Sequence, residues 1–188
     1  MPGGVTVCGT CLKSPPPWKA ALAAVDYAHP WSGLLGRFKF HAALDLAPAL
    51  AQRMLDARRA DEPPPGLLLP MPLSPSRLRE RGHNQAWELA RRLAMALDVE
   101  ADAHWLLRVR DTPHQTALAP SQREENVRGA FAVEPRRLQA TRGRDFTVVD
   151  DVMTTGASAA EATRMLLQAG AASVRVWVVA RTPRPDQT

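Results

Sequence analysis

Residues 148–158 read VVDDVMTTGAS, and this stretch decides the fold class because it joins a strand pattern to a helix pattern through a polar segment. The apolar residues 146–149 predict a buried strand, and Asp150 begins a polar loop predicted over residues 150–158. After the loop, apolar residues at helical spacing predict a helix: Ala162, Met165, Leu166 and Ala169. The order of strand, loop and helix is typical of an α/β unit.

The same order occurs earlier in the chain. Residues 67–69 form an apolar run that ends in Pro-Met-Pro, as expected of a buried strand that stops at a loop. A helical stripe follows, and residues 174–180 predict a further strand. The stripe consists of Ala86, Ala90, Leu93 and Leu97, and an earlier amphipathic helix is predicted by Leu46, Leu50 and Met54. Strands alternating with helices predict an α/β fold with a parallel sheet flanked by helices, which binds ligands beyond the carboxyl ends of its strands.

The polar loop combines the groups that a ribose phosphate needs. Hydroxyls, a glycine that permits close approach and the first N–H groups of a helix suit a phosphate dianion. The predicted phosphate-binding residues are Thr154, Thr155, Gly156, Ala157 and Ser158. Asp150 and Asp151 are predicted to be the catalytic residues, since carboxylates accept hydrogen bonds from sugar hydroxyls and stabilise positive charge developing on a ribose ring. A strand-end turn followed by a simple helix cap is the structural alternative.

At these residues the sequence resembles the type I phosphoribosyltransferases, and a longer match extends the resemblance. Residues 68–86, LLPMPLSPSRLRERGHNQA, with scattered positions over residues 115–131, resemble the ComF family of competence-associated proteins, which includes GntX-type members. The resemblance implies a phosphoribosyltransferase-type fold that binds Mg²⁺ together with phosphoribosyl pyrophosphate (PRPP). It also implies a pyrophosphate loop with its supporting residues, namely Met71, Pro72, Arg81, Asn84 and Gln85. A flexible loop over residues 111–126 is implied as well, and the candidate residues in it or beside it are Arg110, Gln115 and Arg123. His83 and His114 are interpreted as turn or surface residues rather than as general bases.

Cys8 and Cys11 have the spacing of one zinc knuckle, because two intervening residues let both thiolates reach one tetrahedral metal ion. Residues 1–18 are therefore interpreted as a truncated zinc-knuckle-like arm, and residues 19–188 as the phosphoribosyltransferase-like domain. The resemblance implies more than one such pair in related proteins, whereas this chain has two cysteines in all. The pair is vestigial, or histidine such as His29 or His41 completes the Zn²⁺ site, or two chains share the ion.

Composition limits the function classes without choosing one. The 188 residues carry a net charge of +5, which would attract polyphosphates, nucleic acids or anionic surfaces alike. We find no apolar run long enough to span a membrane and no signal-peptide pattern, so we expect a cytoplasmic protein.

The first hypothesis is a phosphoribosyltransferase that acts on PRPP or another ribose phosphate with an unknown acceptor. The second is a non-catalytic accessory protein of DNA uptake and natural competence that retains the ribose-phosphate pocket. Weak DNA association, competence-machinery partners and a homo-oligomer also fit.

Overall fold

The computed structural model describes residues 11–12, 14–111 and 125–183. Six strands lie within these residues: β1 (Ala20–Asp26), β2 (Leu67–Pro70), β3 (Leu106–Arg108), β4 (Phe131–Val133), β5 (Asp145–Met153) and β6 (Ser173–Arg181). Four of them form a parallel sheet in the order β1-β6-β5-β2, and β3 pairs with β4 in a separate antiparallel ribbon. The predicted α/β class with a parallel sheet is therefore confirmed.

Helices cover both faces of the sheet. In chain order they are α1 (Trp31–Phe40), α2 (Ala47–Asp56), α3 (Pro75–Arg81), α4 (Gln85–Leu97), α5 (Leu138–Thr141) and α6 (Ala157–Gln168), with short 3-10 turns at Leu44–Leu46 and Pro135–Arg137. On one face α2 and α4 pack against β5 and β6, and on the other α6 packs against β5, β6 and β4. None of the helices in the described ranges is long and apolar enough to cross a membrane.

The central strands are apolar on both sides because both faces are buried. Along β5, Phe146 and Val148 belong to the core beneath α6, whereas Val149 points into the core beneath α2 and α4. Along β6 the same alternation places Val176 in the first core and Trp177 in the second. The buried two-sided sheet explains why residues 67–69, 146–149 and 174–180 read as nearly continuous apolar runs.

The structure corrects the predicted end of the central strand. We expected the strand to stop at residue 149, but β5 continues to Met153 and pairs with β6 as far as Arg181. Hydrogen bonds to β6 and the burial of Met153 stabilise this extension. The apolar pattern does not predict it, because the two acidic residues interrupt that pattern. Asp150 and Asp151 therefore lie within a strand and not in a flexible loop, and the loop proper is limited to residues 154–156.

The predicted helices are confirmed as α2, α4 and α6, and side chains cap the starts of α3 and α4. Ser74 caps α3 by accepting a hydrogen bond from the N–H of Arg77, and α3 ends at Gly82, whose φ of 74° is left-handed. Asn84 caps α4 by accepting from the N–H groups of Ala86 and Trp87. These caps define a tight connection, residues 82–84, between two helices that reach the same edge of the sheet. Helices α1, α3 and α5, strand β1 and the β3–β4 ribbon had not been predicted.

Candidate functional site

A cavity of about 360 Å³ lies at the carboxyl ends of β2 and β5. All of the predicted catalytic, phosphate-binding and pyrophosphate-loop residues line it: Met71, Pro72, Arg81, Asn84, Gln85, Asp150, Asp151, Thr154, Thr155, Gly156, Ala157 and Ser158. These residues come from two separate strand ends and from the helices that follow them. The parallel sheet brings the two segments together because neighbouring parallel strands end at the same edge.

The acidic pair forms the floor of the cavity. Asp151 is 4% exposed, and Asp150 is partly buried beside it. Each carboxylate accepts a hydrogen bond from the next backbone N–H: Asp150 Oδ1 from Asp151 at 2.8 Å, and Asp151 Oδ1 from Val152 at 2.8 Å. The other oxygen of Asp151, Oδ2, lies 3.0 Å from the ammonium of Lys39. These contacts hold both carboxylates in defined orientations.

Asp150 has an unusual protonation equilibrium. Its pKa is raised to about 7, first by burial and then by the adjacent charge of Asp151, while attraction to Lys39 opposes both effects. Two carboxylates in one recess do not both ionise readily, because each disfavours the charge of the other. Near neutral pH Asp150 is therefore available both as a hydrogen-bond acceptor and as a donor.

The loop between β5 and α6 lines the cavity directly before the start of α6. Gly156 adopts a φ of +85°, and a Cβ there would lie 3.0 Å from Cη2 of Trp18. Thr155 Oγ1 accepts a weak hydrogen bond from the N–H of Ala157 at 3.3 Å. Helix α6 begins directly after the loop and has no acidic residue in its first turn, so its positive dipole end faces the cavity without a competing carboxylate. The arrangement suits a phosphate dianion.

Four basic side chains line the same cavity, and our sequence analysis found one of them. The four are Lys39 from α1, Arg77 and Arg81 from α3, and Arg108 from β3. Arg77 and Arg81 are four residues apart and so lie on one face of α3, a spacing that could have identified Arg77. Lys39 and Arg108 have no local signal, because the tertiary fold alone brings α1 and β3 to this edge of the sheet. Together they give the cavity two negative and four positive groups.

The connection between α3 and α4 braces the cavity from behind. Asn84 Nδ2 donates to the carbonyl of Met71 at 3.2 Å, which holds the predicted pyrophosphate loop. Gln85 Nε2 donates to the carbonyl of Lys39 at 3.2 Å, and His83 Nε2 lies 3.3 Å from the carbonyl of Phe38. The RGHNQ sequence therefore ties the loop after β2 and the end of α1 to one point. His83 contacts backbone carbonyls, as its interpretation as a turn residue predicted.

Of the flexible-loop candidates, the structure describes Arg110. Arg110 does not line the cavity, and its guanidinium donates to the carbonyls of Asn126 at 2.9 Å and Arg128 at 2.6 Å. It thus joins the two ends of the chain segment around residues 112–124. Gln115 and Arg123 fall outside the described residues, as do Cys8 and His114. Their predicted roles stay predictions.

The donor set bears on the expected metal ions. Within residues 11–12, 14–111 and 125–183 no group of three or more histidine, cysteine, aspartate or glutamate side chains is arranged to hold a metal ion. Mg²⁺ commonly binds proteins through substrate phosphates and few protein groups, so the Mg²⁺ prediction does not depend on such a group and stays a prediction. The zinc prediction concerns Cys8 as well as Cys11, so it stays a prediction.

This chain is similar to known proteins over most of its length. No protein-family profile matches it. DNA utilization protein YhgH of Escherichia coli K12 is 38% identical over 184 residues, an alignment that covers 93% of this chain and 78% of that protein. Competence protein F of Haemophilus influenzae is 32% identical over 179 residues with the same coverage.

Solved structures similar to this chain are more distant. Glutamine PRPP amidotransferase from B. subtilis has a TM-score of 0.49 and 19% identity, and the match covers 77% of this chain and 30% of that one. Purine phosphoribosyltransferase from Pyrococcus horikoshii has a TM-score of 0.38 and 15% identity, over 74% of this chain and 82% of that one. Scores this low say nothing about activity. The close curated relatives do establish ancestry: this chain belongs to the ComF family, together with DNA utilization protein YhgH and competence protein F.

Proposed function

We propose that this protein binds Mg-PRPP or a related ribose phosphate and transfers the phosphoribosyl group to an acceptor. The observation that carries the proposal is the composition of one cavity: an acidic pair, a hydroxyl-rich loop at a helix N-terminus and four basic side chains around about 360 Å³. A ribose with two hydroxyls, a 5-phosphate and a pyrophosphate needs all three kinds of group at once. A simple strand-end turn needs none of the basic side chains.

Each part of the cavity has a role in the proposed reaction. The loop at residues 154–158 binds the 5-phosphate, and Asp150 and Asp151 accept hydrogen bonds from the ribose hydroxyls. When the bond between C1 and pyrophosphate breaks, the electron pair leaves with pyrophosphate, and the acceptor supplies a new pair to C1. The carboxylates stabilise the positive charge that develops on the ring. The guanidinium groups lining the cavity stabilise the leaving pyrophosphate, and a Mg²⁺ ion brought in with the ligand would supply further neutralisation of its charge.

A second candidate function is a non-catalytic one. It is favoured by the names of the relatives, which refer to DNA utilization and competence and not to a transfer reaction. Under this hypothesis the cavity binds the ribose phosphate as a signal or structural ligand, and the protein acts through competence-machinery partners. A cytoplasmic location belongs to both hypotheses as a prediction.

Two measurements separate these possibilities. Calorimetric titration at pH 8 with Mg-PRPP and with ribose 5-phosphate tests binding, and release of pyrophosphate from PRPP in the presence of a panel of nucleobases tests transfer. Binding with acceptor-dependent pyrophosphate release supports the enzyme, whereas binding without release for any acceptor supports the accessory role. Absence of binding to both ligands contradicts the proposal.

Substitutions of cavity residues test whether the ligand binds in the cavity. Asp150→Asn and Asp151→Asn should each weaken ribose 5-phosphate binding by about 1.5–3 kcal/mol, roughly tenfold or more, because each removes a charged hydrogen-bond acceptor. Thr155→Val removes one hydroxyl at similar volume and should weaken PRPP and ribose 5-phosphate alike. Asp26→Asn is the matched control, since Asp26 is exposed at the end of β1 and does not line the cavity. Wild-type affinity in all three cavity variants would show that the ligand binds elsewhere.

A further inference from the structure

Lys39, a residue of α1, forms an ion pair with one carboxylate of the acidic pair. Its ammonium lies 3.0 Å from Asp151 Oδ2, and the side chains are 26% and 5% exposed. The carboxylate is thus enclosed, while the lysine retains a path to the cavity. Lys39 lies in the last turn of α1, far from Asp151 in sequence.

The position of Lys39 is held from its backbone. Gln85 donates to the carbonyl of Lys39, and His83 contacts the carbonyl of Phe38 one residue earlier. Both contacts come from the connection that also holds the carbonyl of Met71 through Asn84. The end of α1 is therefore fixed relative to the predicted pyrophosphate loop. The backbone of Lys39 is held at a position from which its side chain contacts Asp151.

The electrostatic need for this lysine follows from the proposed ligand. A ribose phosphate is an anion, and it must approach two carboxylates that would repel it. The charged groups around the acidic pair are Lys39 from α1, Arg77 and Arg81 from α3, and Arg108 from β3. Arg81 lies 5.2 Å from the centre of the Phe40 ring, and Arg108 lies 5.4 Å from that of Phe131, so both guanidinium groups are also positioned by aromatic faces. Lys39 is the cation in direct contact with Asp151.

We propose that Lys39 is a positioning residue of the ribose-phosphate site, which orients Asp151 and offsets the charge of the acidic pair so that an anionic ligand can bind. This inference rests on the proposed function. It assigns a role to α1, an element that the residue motifs do not include. It also explains the His83-Asn84-Gln85 segment as the device that places α1 against the site.

The charges have a pH consequence. Burial lowers the pKa of Lys39, but attraction to Asp151 and Asp150 outweighs burial and leaves it raised, so the lysine stays charged at neutral pH. The same attraction lowers the pKa of Asp150. Loss of the lysine charge should therefore raise the pKa of Asp150. Because ionised Asp150 is the better acceptor of a ribose hydroxyl, binding should then require a higher pH.

The test compares Lys39→Met, Lys39→Arg and a matched control, Lys19→Met, by titration with ribose 5-phosphate from pH 5.5 to 9. Lys19 is exposed at the start of β1 and does not line the cavity. We expect Lys39→Met to bind about tenfold more weakly or worse at pH 7, with the midpoint of its pH profile raised by about one unit or more. Lys39→Arg should restore most of the affinity, and Lys19→Met should match the wild type.

Wild-type affinity and an unchanged pH midpoint in Lys39→Met would overturn the role of Lys39 while leaving the proposed function intact. Failure of the wild type to bind would overturn the proposed function first, and it is visible without any variant. If Lys39→Met does not fold, amine labelling of the wild type gives the answer, because the chain has three lysines, at positions 13, 19 and 39. Ribose 5-phosphate should slow the labelling of Lys39 and not that of Lys19. Equal rates with and without the ligand would refute the proposal.

Discussion

Asp150→Asn should stabilise the protein in a pH-dependent way. The Asn side chain keeps an Oδ1 that can accept the hydrogen bond from the N–H of Asp151, so the substitution removes the charge and preserves the shape. In the folded protein the pKa of Asp150 is about 7, against an ordinary value of 3.8. Between these two values the folded state retains a proton that the unfolded state has released. The free energy of unfolding of the wild type therefore falls as the pH rises from about 4 to 7 and levels off above 7.

The magnitude follows from the two pKa values. A gap of about three pH units at 1.36 kcal/mol each sets an upper limit of about 4 kcal/mol on the cost of ionising Asp150 above pH 7. Lys39 and Asp151 respond to the same charge, so we expect about 2–4 kcal/mol. For a chain of this size that corresponds to a rise in Tm of roughly 5–15 °C at pH 8. Near pH 4 the advantage of the variant should vanish.

Urea denaturation of the wild type and of Asp150→Asn, at several pH values from 4.5 to 8.5, measures this difference directly. Asp26→Asn provides the control, because it makes the same change at an exposed strand end. A difference between Asp150→Asn and the wild type that stays constant across this range would refute the reasoning. It would mean that Asp150 is ionised in the folded protein at all of these pH values.

Asp151→Asn should destabilise the protein at pH 8, because it leaves the partly buried ammonium of Lys39 without its carboxylate. We expect the free energy of unfolding to fall by about 1–3 kcal/mol in the same assay. Stability equal to or greater than that of the wild type would contradict the ion pair. Gly156→Ala should destabilise the protein by about 1 kcal/mol or more and weaken ribose 5-phosphate binding, because φ is +85° and the new Cβ meets Trp18. Gly33→Ala in α1, where a Cβ meets nothing within 4 Å, is its control, and equal melting of the two variants would argue against the strain. Elemental analysis of the purified protein tests the zinc-knuckle-like arm. If Cys8 and Cys11 bind zinc, we expect one zinc ion per chain, or half that amount if two chains share the ion. A folded protein without zinc excludes the site. DNA binding should be weak, independent of sequence and steeply salt-dependent, as counterion release requires; tight, salt-resistant and sequence-specific binding in a filter assay would contradict this.

The acidic pair affects stability because of where the strand ends. In the sequence the pair follows an apolar run and precedes a hydroxyl-rich turn, an order that predicts a polar loop. The strand continues through both residues, and Asp151 is 4% exposed. Their charges therefore affect folding as well as binding.

Most of the local structure could be predicted because its causes are local. The apolar runs at residues 67–69, 146–149 and 174–180 are buried strands, and the stripes that begin at Leu46, Ala86 and Ala162 are helices. The cavity residues at the end of β5 were identified from their own segment, since hydroxyls, glycine and a helix start carry their chemistry in their order. Those after β2 were implied by the resemblance to the ComF family.

The other elements and the contacts within the cavity could not be predicted, because they depend on which segments pack together in the folded protein. Strand β1 and helix α1 have no decisive period, and β1 is stabilised by its pairing with β6. The parallel α/β class, the acidic pair and the hydroxyl-rich loop could be predicted from the sequence, because each depends on the order of neighbouring residues. The contact of Lys39 with Asp151, the position of Arg108 at the cavity and the pKa of about 7 for Asp150 follow from the tertiary structure alone. Electrostatic interaction depends on distance and burial, and these are set by how segments remote in sequence pack together.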